Sequence, residues 1–256
     1  MARVGNPRGA PSHRWHNSSV SLKLLVLEDD DGIRTALGLA MEDEGYDVVE
    51  APSAEAALQI VARNPPDLML VDLMLGGMDG FSFIREVRPN SQAPIIVLSA
   101  KTDTHDIVAA LEAGADDYVT KPFQVKEIGA RLRALRRRAG VTVGGAGSPS
   151  DDTPLVLDSE RGPLVLDVGA GVVRRGGEEV HLTLTEFRLL CELASPPGRV
   201  LSRRALLERV WERGYFGDER IVDVHVRRLR TKVEANANAP QLVVTVRGQG
   251  YRLDPR

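Results

Sequence analysis

The 256-residue sequence reads as two domains of different class: a doubly wound parallel α/β domain over residues 21–138, then a smaller α+β domain over residues 155–256. Three observations carry this reading. In the first part, five short apolar runs each give way to a helical pattern, the alternation that builds a parallel sheet with helices on both faces. Residues 139–154, AGVTVGGAGSPSDDTP, are rich in Gly, Ser and Pro and have no apolar period, as in a flexible linker. Beyond it come short strands with glycine-bearing turns, three helices and a hairpin, an order that a parallel sheet does not produce.

Leu24 to Leu27 is the first buried strand. The helix after it carries Ile33, Leu37, Leu39, Ala40 and Met41, and Gly45 ends it. Val48 and Val49 lie in the second strand. Ser53 caps a helix through Ala56, Ala57, Ile60 and Val61, which Pro65 and Pro66 close. The third run, Leu68 to Leu75, is LMLVDLML, apolar except for Asp72. Gly80 to Val87 is a short helix stopped near Pro89. Ile95 to Leu98 is the fourth strand, ending in Ser99 and Ala100, and the helix after it spans about Asp103 to Glu112. Tyr118 and Val119 form the fifth strand, ending in Thr120, Lys121 and Pro122. A last helix runs from Gln124 into Arg136, Arg137 and Arg138.

In the second part, Leu155–Leu157, Leu164–Val168, Val172–Arg174 and Val180–Leu182 read as strands of a small antiparallel sheet. Thr183 and Glu186 form a capping box that opens a helix through Phe187, Leu190 and Leu193. Ser202 caps a second helix, through Leu206, Leu207 and Val210. Asp218 precedes a third, from Glu219 to about Glu234. Leu242–Val246 and Tyr251–Leu253 are strands joined by Arg247, Gly248, Gln249 and Gly250.

Hydrophobic residues make up 43% and charged residues 27% of the chain, the balance of a water-soluble globular protein. The net charge is −3, but it is divided unevenly. Residues 21–138 hold 20 acids and 13 bases, whereas residues 155–256 hold 14 acids and 17 bases. The second domain therefore suits a polyanionic partner better than the first. Cys191 is the single cysteine, so no internal disulfide forms, which suits a reducing, cytoplasmic setting. Leu189, Leu190 and Leu193 beside it mark a buried structural thiol. No apolar run approaches the ~20 residues that span a bilayer. Residues 1–20 carry Arg3, Arg8 and Arg14 without an apolar core, so they are a disordered N-terminal tail rather than a secretory signal, and an over-called start codon would look the same.

A carboxylate inside an apolar strand is costly unless partners meet it. The strand's carboxyl end, where parallel sheets form their ligand crevice, is the place that resolves Asp72. Strands one, three, four and five end in Glu28 and Asp29, in Asp72, in Ser99 and in Lys121. Three carboxylates in one place call for a cation, and hard oxygen ligands favour Mg²⁺ with waters retained. Lys121 adds an ammonium and Ser99 a hydroxyl. A metal, a point cation and a donor are the parts that hold a phosphoryl group on a nucleophilic carboxylate.

LLVLEDDDGIR, LMLVDLML, VLSA and GADDYVTKPF resemble the signatures of response-regulator receiver domains, which have a five-stranded, flavodoxin-like, doubly wound sheet. The resemblance implies that Asp72 is the phosphoacceptor, served by a sensor histidine kinase. It implies Mg²⁺ held by Glu28 and Asp29, by Asp72 and by the backbone carbonyl of Met74. It makes Ser99 and Tyr118 the switch pair and Lys121 the phosphate contact, followed by Pro122, which in the family often has a cis bond. Gly76 stands where the family usually has proline, so a more mobile loop is expected there. A phosphohydrolase of the haloacid-dehalogenase type would need an acid two residues after the nucleophile. Met74 stands there and cannot protonate a leaving group, which favours a slowly dephosphorylating switch over an enzyme.

In the third helix of the second part, Val222, Val226, Leu229 and Val233 form one buried stripe. Another face carries Arg220, Ile221, Val224, His225, Arg227 and Arg228, with Arg230 and Lys232 nearby. TLTEFRLL, RIVDVHVRRLR and TVRGQGYR resemble the winged-helix output domain of the OmpR/PhoB type. The resemblance implies double-stranded promoter DNA as partner, and RNA polymerase beyond it. Arg220, Ile221, Val224 and Arg228 would lie nearest the bases, Arg227 and Arg230 on phosphates, and Arg247 in the minor groove. His225 would contact DNA or pack at the helix edge. In the family, phosphorylation pairs two receivers as a homodimer. This carries over to Val108 and Leu111 at the apolar centre, with Glu112, Asp116, Asp117, Glu127, Arg131 and Arg138 around them. Ile107, at a position often basic, and Gly129, where an apolar side chain often packs, are expected to loosen that dimer.

Overall fold

The computed structural model describes residues 21–139, 154–160, 162–195, 197–211 and 219–256. The proposed tail at 1–20 and residues 140–153 of the proposed linker lie outside the described residues. In the first part, β1 (Lys23–Leu27), α1 (Asp31–Asp43), β2 (Asp47–Ala51), α2 (Ala54–Arg63), β3 (Leu68–Asp72), α3 (Gly80–Val87), β4 (Ile95–Ser99), α4 (Thr104–Ala113), β5 (Asp117–Thr120) and α5 (Val125–Ala139) follow one another. The sheet is fully parallel with order β2-β1-β3-β4-β5. Strand order reverses between β1 and β3, and in such a sheet the ligand crevice opens at that point, beyond the strands' carboxyl ends.

Alternation along the strands divides the core in two. Leu24 and Val26 face one side with Leu37, Met41, Ile128 and Leu132 of α1 and α5. Leu25 and Leu27 face the other, with Ala57, Phe83, Ile84, Ala110 and Leu111 of α2, α3 and α4. Side chains start the helices where their N–H groups lack partners. Asp30, Ser53, Asp79 and Asp103 each accept from a backbone N–H in the first turn of α1, α2, α3 and α4.

The second part contains β6 (Leu155–Asp158), β7 (Leu164–Asp167), β8 (Val172–Arg175), β9 (Glu178–Glu179), α6 (Leu184–Ala194), α7 (Arg203–Val210), α8 (Arg220–Val233), β10 (Val243–Val246) and β11 (Gly250–Leu253). The strands β6 to β9 form one antiparallel sheet, and β10 and β11 form a hairpin. One expected strand is displaced. Val180–Leu182 was expected to pair, but β9 lies two residues earlier. The cause is the turn: Gly176 and Gly177 both adopt positive φ, at 58° and 93°, so a two-residue hairpin returns the chain at once. Val180 keeps one bond, from its N–H to the Val173 carbonyl at 2.8 Å. The capping box of Thr183 and Glu186 is present, and Ser202 caps α7.

The two parts share one apolar cluster. Ala110, Leu111 and Ala115 of the first belong to the same buried group as Trp211, Ile221 and Val224 of the second. The helix α8 packs directly on α4.

Gly80 opens α3 where the chain turns back beneath the end of β3. A Cβ there would stand 2.2 Å from the Asp72 carbonyl oxygen and 2.8 Å from Leu73 Cα. Gly80→Ala is therefore expected to destabilise the protein by about 1–3 kcal/mol, through the backbone shift that an overpacked site demands. Urea unfolding of the full chain measures this, and an unchanged midpoint would contradict it.

Candidate functional site

The register explains the gathering of polar groups. Leu27 pairs with Val71, Asp72 with Leu98, and Ser99 with Thr120. Glu28, Asp72, Ser99 and Lys121 thus leave neighbouring strands at one level. Single carboxylate oxygens of Glu28, Asp29 and Asp72 lie within 4.8 Å of one another. Asp72 is 3% exposed and Glu28 is 1% exposed, whereas Asp29 faces solvent. The Lys121 ammonium donates to Asp72 Oδ2 at 2.6 Å and to Glu28 Oε2 at 2.8 Å.

Burial raises the Glu28 carboxyl above its usual range, and the Asp72 charge adds to this while Lys121 opposes it. Burial alone would lower the Lys121 ammonium, but its bonds to Asp72 and Glu28 outweigh that and raise it. One ammonium thus faces three converging carboxylates, and the excess negative charge of a hard oxygen set is what a divalent cation such as Mg²⁺ fits. Glu28, Asp29 and Asp72 are the side chains that could hold it.

Three supports around the crevice escaped sequence reasoning. Arg34 donates from Nη1 to the backbone carbonyls of Glu28 at 2.9 Å and Asp29 at 3.4 Å, fixing the main chain beneath the acidic pair. Gly76 was expected to loosen its loop, but its N–H donates to Asp29 Oδ2 at 3.3 Å, a bond that proline could not make. Two residues on, the Met78 N–H donates to Glu55 Oε1, also at 3.3 Å. The loop is therefore tied to both flanks of the crevice. Arg34 had a visible signal in the run DDDGIR, but contacts at Gly76 and Glu55 depend on the fold alone.

Ser99 is fully buried, and its Oγ accepts from the Lys101 N–H at 3.2 Å. Tyr118 is 7% exposed and donates to the Lys101 carbonyl at 2.8 Å, with burial raising its phenol. Both therefore grip the segment that leads into α4. The Lys121–Pro122 bond is cis.

The basic helix is placed differently from the expectation. The stripe Val222, Val226, Leu229 and Val233 is buried as anticipated. Ile221, Val224 and His225 are buried too, at 4%, 6% and 0% exposure, because this side of α8 meets α4. Arg228 donates from Nη1 to the carbonyls of Leu111 at 3.1 Å and Ala115 at 3.0 Å, at the carboxyl end of α4. It also pairs with the buried Glu186 at 3.0 Å, which Lys232 reaches from the other side at 2.6 Å. Arg227 pairs with Glu112 at 2.5 Å. Arg230 binds the Val243 carbonyl and Thr245 at the base of the hairpin. Arg220 and Arg247 are exposed, Arg247 at the hairpin turn where Gly248 has a φ of 72°.

The residues expected at a dimer face are also partly engaged. Asp116 is fully buried, held by Arg88 Nη2 at 2.5 Å and the Ile95 N–H at 3.0 Å, so it is a core ion pair rather than a surface group. Trp211 crosses from the second part to donate to the Asp116 carbonyl at 3.2 Å. Asp117 and Glu127 both pair with Arg131. Leu111 is buried, Val108 is half-buried and Glu112 is taken by Arg227. The side chain of Arg138 lies outside the described residues. Gly129 does not belong to this face. A Cβ there would point at Arg133 and Glu44, each at 3.2 Å, because position 129 sits across the helix from 127 and 131. Cys191 is largely covered, and burial pushes its thiol up to about 12, the behaviour of an inert thiol.

A parallel sheet with an acidic crevice, joined to a domain of three helices and a hairpin, defines a receiver linked to a winged-helix output domain. Residues 24–133 match the response regulator receiver domain family, and residues 177–253 match the C-terminal family of transcriptional regulatory proteins. The chain is 47% identical over 232 residues to the transcriptional regulatory protein AfsQ1 of Streptomyces coelicolor, covering 91% of this chain and 98% of that protein. It is 44% identical over 233 residues to the DNA-binding response regulator MtrA of Mycolicibacterium smegmatis, covering 91% and 97%. Among solved structures, a RitR mutant aligns with a TM-score of 0.70 at 27% identity, covering 92% of this chain and 100% of that one. The chain belongs to the OmpR/PhoB-type response regulators, which are DNA-binding transcription regulators rather than metabolic enzymes. Among the described residues, no helix is long and apolar enough to cross a membrane.

The charge excess in the crevice suits Mg²⁺, which would then act as a stabilising ligand. At a concentration 100 times its dissociation constant, it is expected to add about 2.7 kcal/mol to the stability of the full chain. Asp29→Asn should remove most of this gain. Thermal unfolding with and without Mg²⁺ reports it, and equal gains in the two proteins would argue against Asp29 as a ligand.

Proposed function

We propose that this regulator is switched by phosphorylation of Asp72 from a cognate sensor histidine kinase in the cytoplasm, with Mg²⁺ required. Asp72 is the nucleophile, and Lys121 meets the incoming phosphoryl oxygens. Glu28, Asp29, Asp72 and the Met74 carbonyl would hold the metal, which would supply charge neutralisation for phosphoryl transfer. The observation that carries this reading is the Lys121 ammonium shared by Asp72 and Glu28 at the strand ends.

The route to DNA runs through α4. A phosphoryl group on Asp72 draws the Ser99 hydroxyl, whose neighbour Lys101 is also bonded to Tyr118. Movement there shifts the start of α4, the helix on which α8 is docked. Once α8 leaves, Arg220, Ile221, Val224 and Arg228 are presented to base edges, Arg227 and Arg230 to phosphates, and Arg247 to a minor groove. His225 is uncovered on the same helix. The α4–β5–α5 face, with Val108, Leu111, Glu112, Asp117, Glu127, Arg131 and Arg138, is then open to a second receiver. Asp116 supports that face from beneath through Arg88. Homodimers on promoter DNA would then meet RNA polymerase.

Mg²⁺ with BeF₃⁻ is expected to raise dimer content and to tighten promoter binding tenfold or more, with an affinity that falls steeply with salt. Asp72→Ala should bind DNA as the resting protein does, with or without BeF₃⁻. Sedimentation and gel-shift titrations decide the matter. A BeF₃⁻ response that survives in Asp72→Ala would overturn the assignment of the acceptor.

A further inference from the structure

The seam between α4 and α8 closes over an imidazole. His225 is fully buried, and among the described residues neither ring nitrogen makes a well-formed hydrogen bond, the Asp116 backbone being its nearby polar neighbour. Its ring lies 5.1 Å from that of Trp211, tilted by 51°. Trp211 is itself tied to the Asp116 carbonyl of the receiver. Buried polar atoms are almost always satisfied, so an imidazole sealed here without a well-formed bond among the described residues stands out.

We propose that His225 is a proton-sensitive wedge in the interdomain seam, so that acid releases α8 from α4 without phosphorylation. The idea rests on the reading of α8 as the DNA-reading helix masked in the closed form. A neutral ring is tolerated in the seam because it packs against Trp211. A protonated ring is not, for its two N–H donors would be sealed from water.

The charges around it are already committed. Arg228, one turn along α8, is bonded to the α4 carbonyls and to Glu186 of α6. Asp116, after α4, is paired through Oδ2 with Arg88 at the end of α3. Lys232 faces Glu186 from α8. Asp116 favours a charged ring through its carboxylate and its backbone, but burial and Arg228 outweigh it. Burial first, and then the nearby Arg228, lower the imidazole to about 3 in the closed form.

Once α8 is free, the imidazole regains its ordinary value of about 6.5. The sign follows from linkage. The group is depressed in the closed form, so closure is fully favoured above about 6.5 and is lost progressively as pH falls below it. Between pH 7.5 and pH 5.5 the open-to-closed ratio should rise about tenfold.

The test uses the unphosphorylated full chain without DNA. Small-angle X-ray scattering should show the protein expanding between pH 7.5 and 5.5, while His225→Phe, which keeps a ring against Trp211, stays closed across the range. The exposed His105 and His181 are present in both proteins, so the difference isolates His225. Ring NMR signals of His225 in the wild type provide a second measurement that needs no variant. An ordinary titration midpoint in a protein that stays compact would overturn the proposal. So would a wild type indifferent to pH, tighter closure in acid, or equal expansion of His225→Phe. Opening by Mg²⁺ and BeF₃⁻ at pH 7.5 tests the phosphorylation switch separately, so the two ideas fail independently.

Discussion

The structure depends on a carboxylate that cannot be left alone. Asp72 ends a strand buried along its whole length, and a bare charge there would be prohibitive. Lys121 answers it from β5's end, two strands away, and shares its ammonium with Glu28. That sharing requires β1, β3, β4 and β5 to end at one level, so the order of the sheet and the chemistry of the crevice are one constraint. It is also incomplete by design. One cation among three carboxylates leaves negative charge over, so the crevice favours a divalent ion, and any added phosphoryl charge must be met by moving groups. Ser99 and Tyr118, the switch pair of the proposed function, both hold the segment entering α4.

Under the proposed function, α8 uses the same side chains in two ways. Arginines that would meet bases or phosphates are occupied inside the closed molecule. Arg228 sits on carbonyls at the end of α4, where the helix dipole is negative, and on Glu186. If these arginines meet DNA as proposed, such substitution of protein acceptors for phosphate would make the closed form and the DNA-bound form mutually exclusive. The same contact covers Leu111 and engages Glu112, so under the proposed function it would block receiver pairing as well as DNA reading. One release therefore exposes both surfaces.

Most of the fold could be read from the chain because its signals are local. The strand–helix alternation, the caps at Ser53, Thr183 and Ser202, and the polar residue at each strand end all lie within a few residues of what they specify. The displacement of β9 follows from turn chemistry, since the pair Gly176–Gly177 forms a two-residue hairpin. The nonlocal contacts were not legible. Nothing in the composition of RIVDVHVRRLR distinguishes a helix facing DNA from one facing another domain, because both want an amphipathic, arginine-rich face. His225 was ambiguous for that reason, and the tertiary contact with Trp211 is what places it. Gly76 misled in the other direction. Its freedom from side-chain constraint suggested mobility, but the amide that proline would lack is tied to Asp29.

A closed form that must open on demand can be only modestly favoured. In the proposed switch, a phosphoryl group would supply the difference between the two forms through its contacts with Ser99 and Lys121. The seam is composed accordingly. Its rim pair, Arg227 with Glu112, is exposed and screened by salt, so it fixes register more than it adds strength. The core relies on Trp211 and on apolar contacts of Ile221 and Val224, which are strong only while they stay dry. A leucine at position 225 would strengthen that core and make it harder to open. An imidazole fills a similar space yet carries an unsatisfied polar cost, which keeps the closed state within reach of a single chemical event at Asp72.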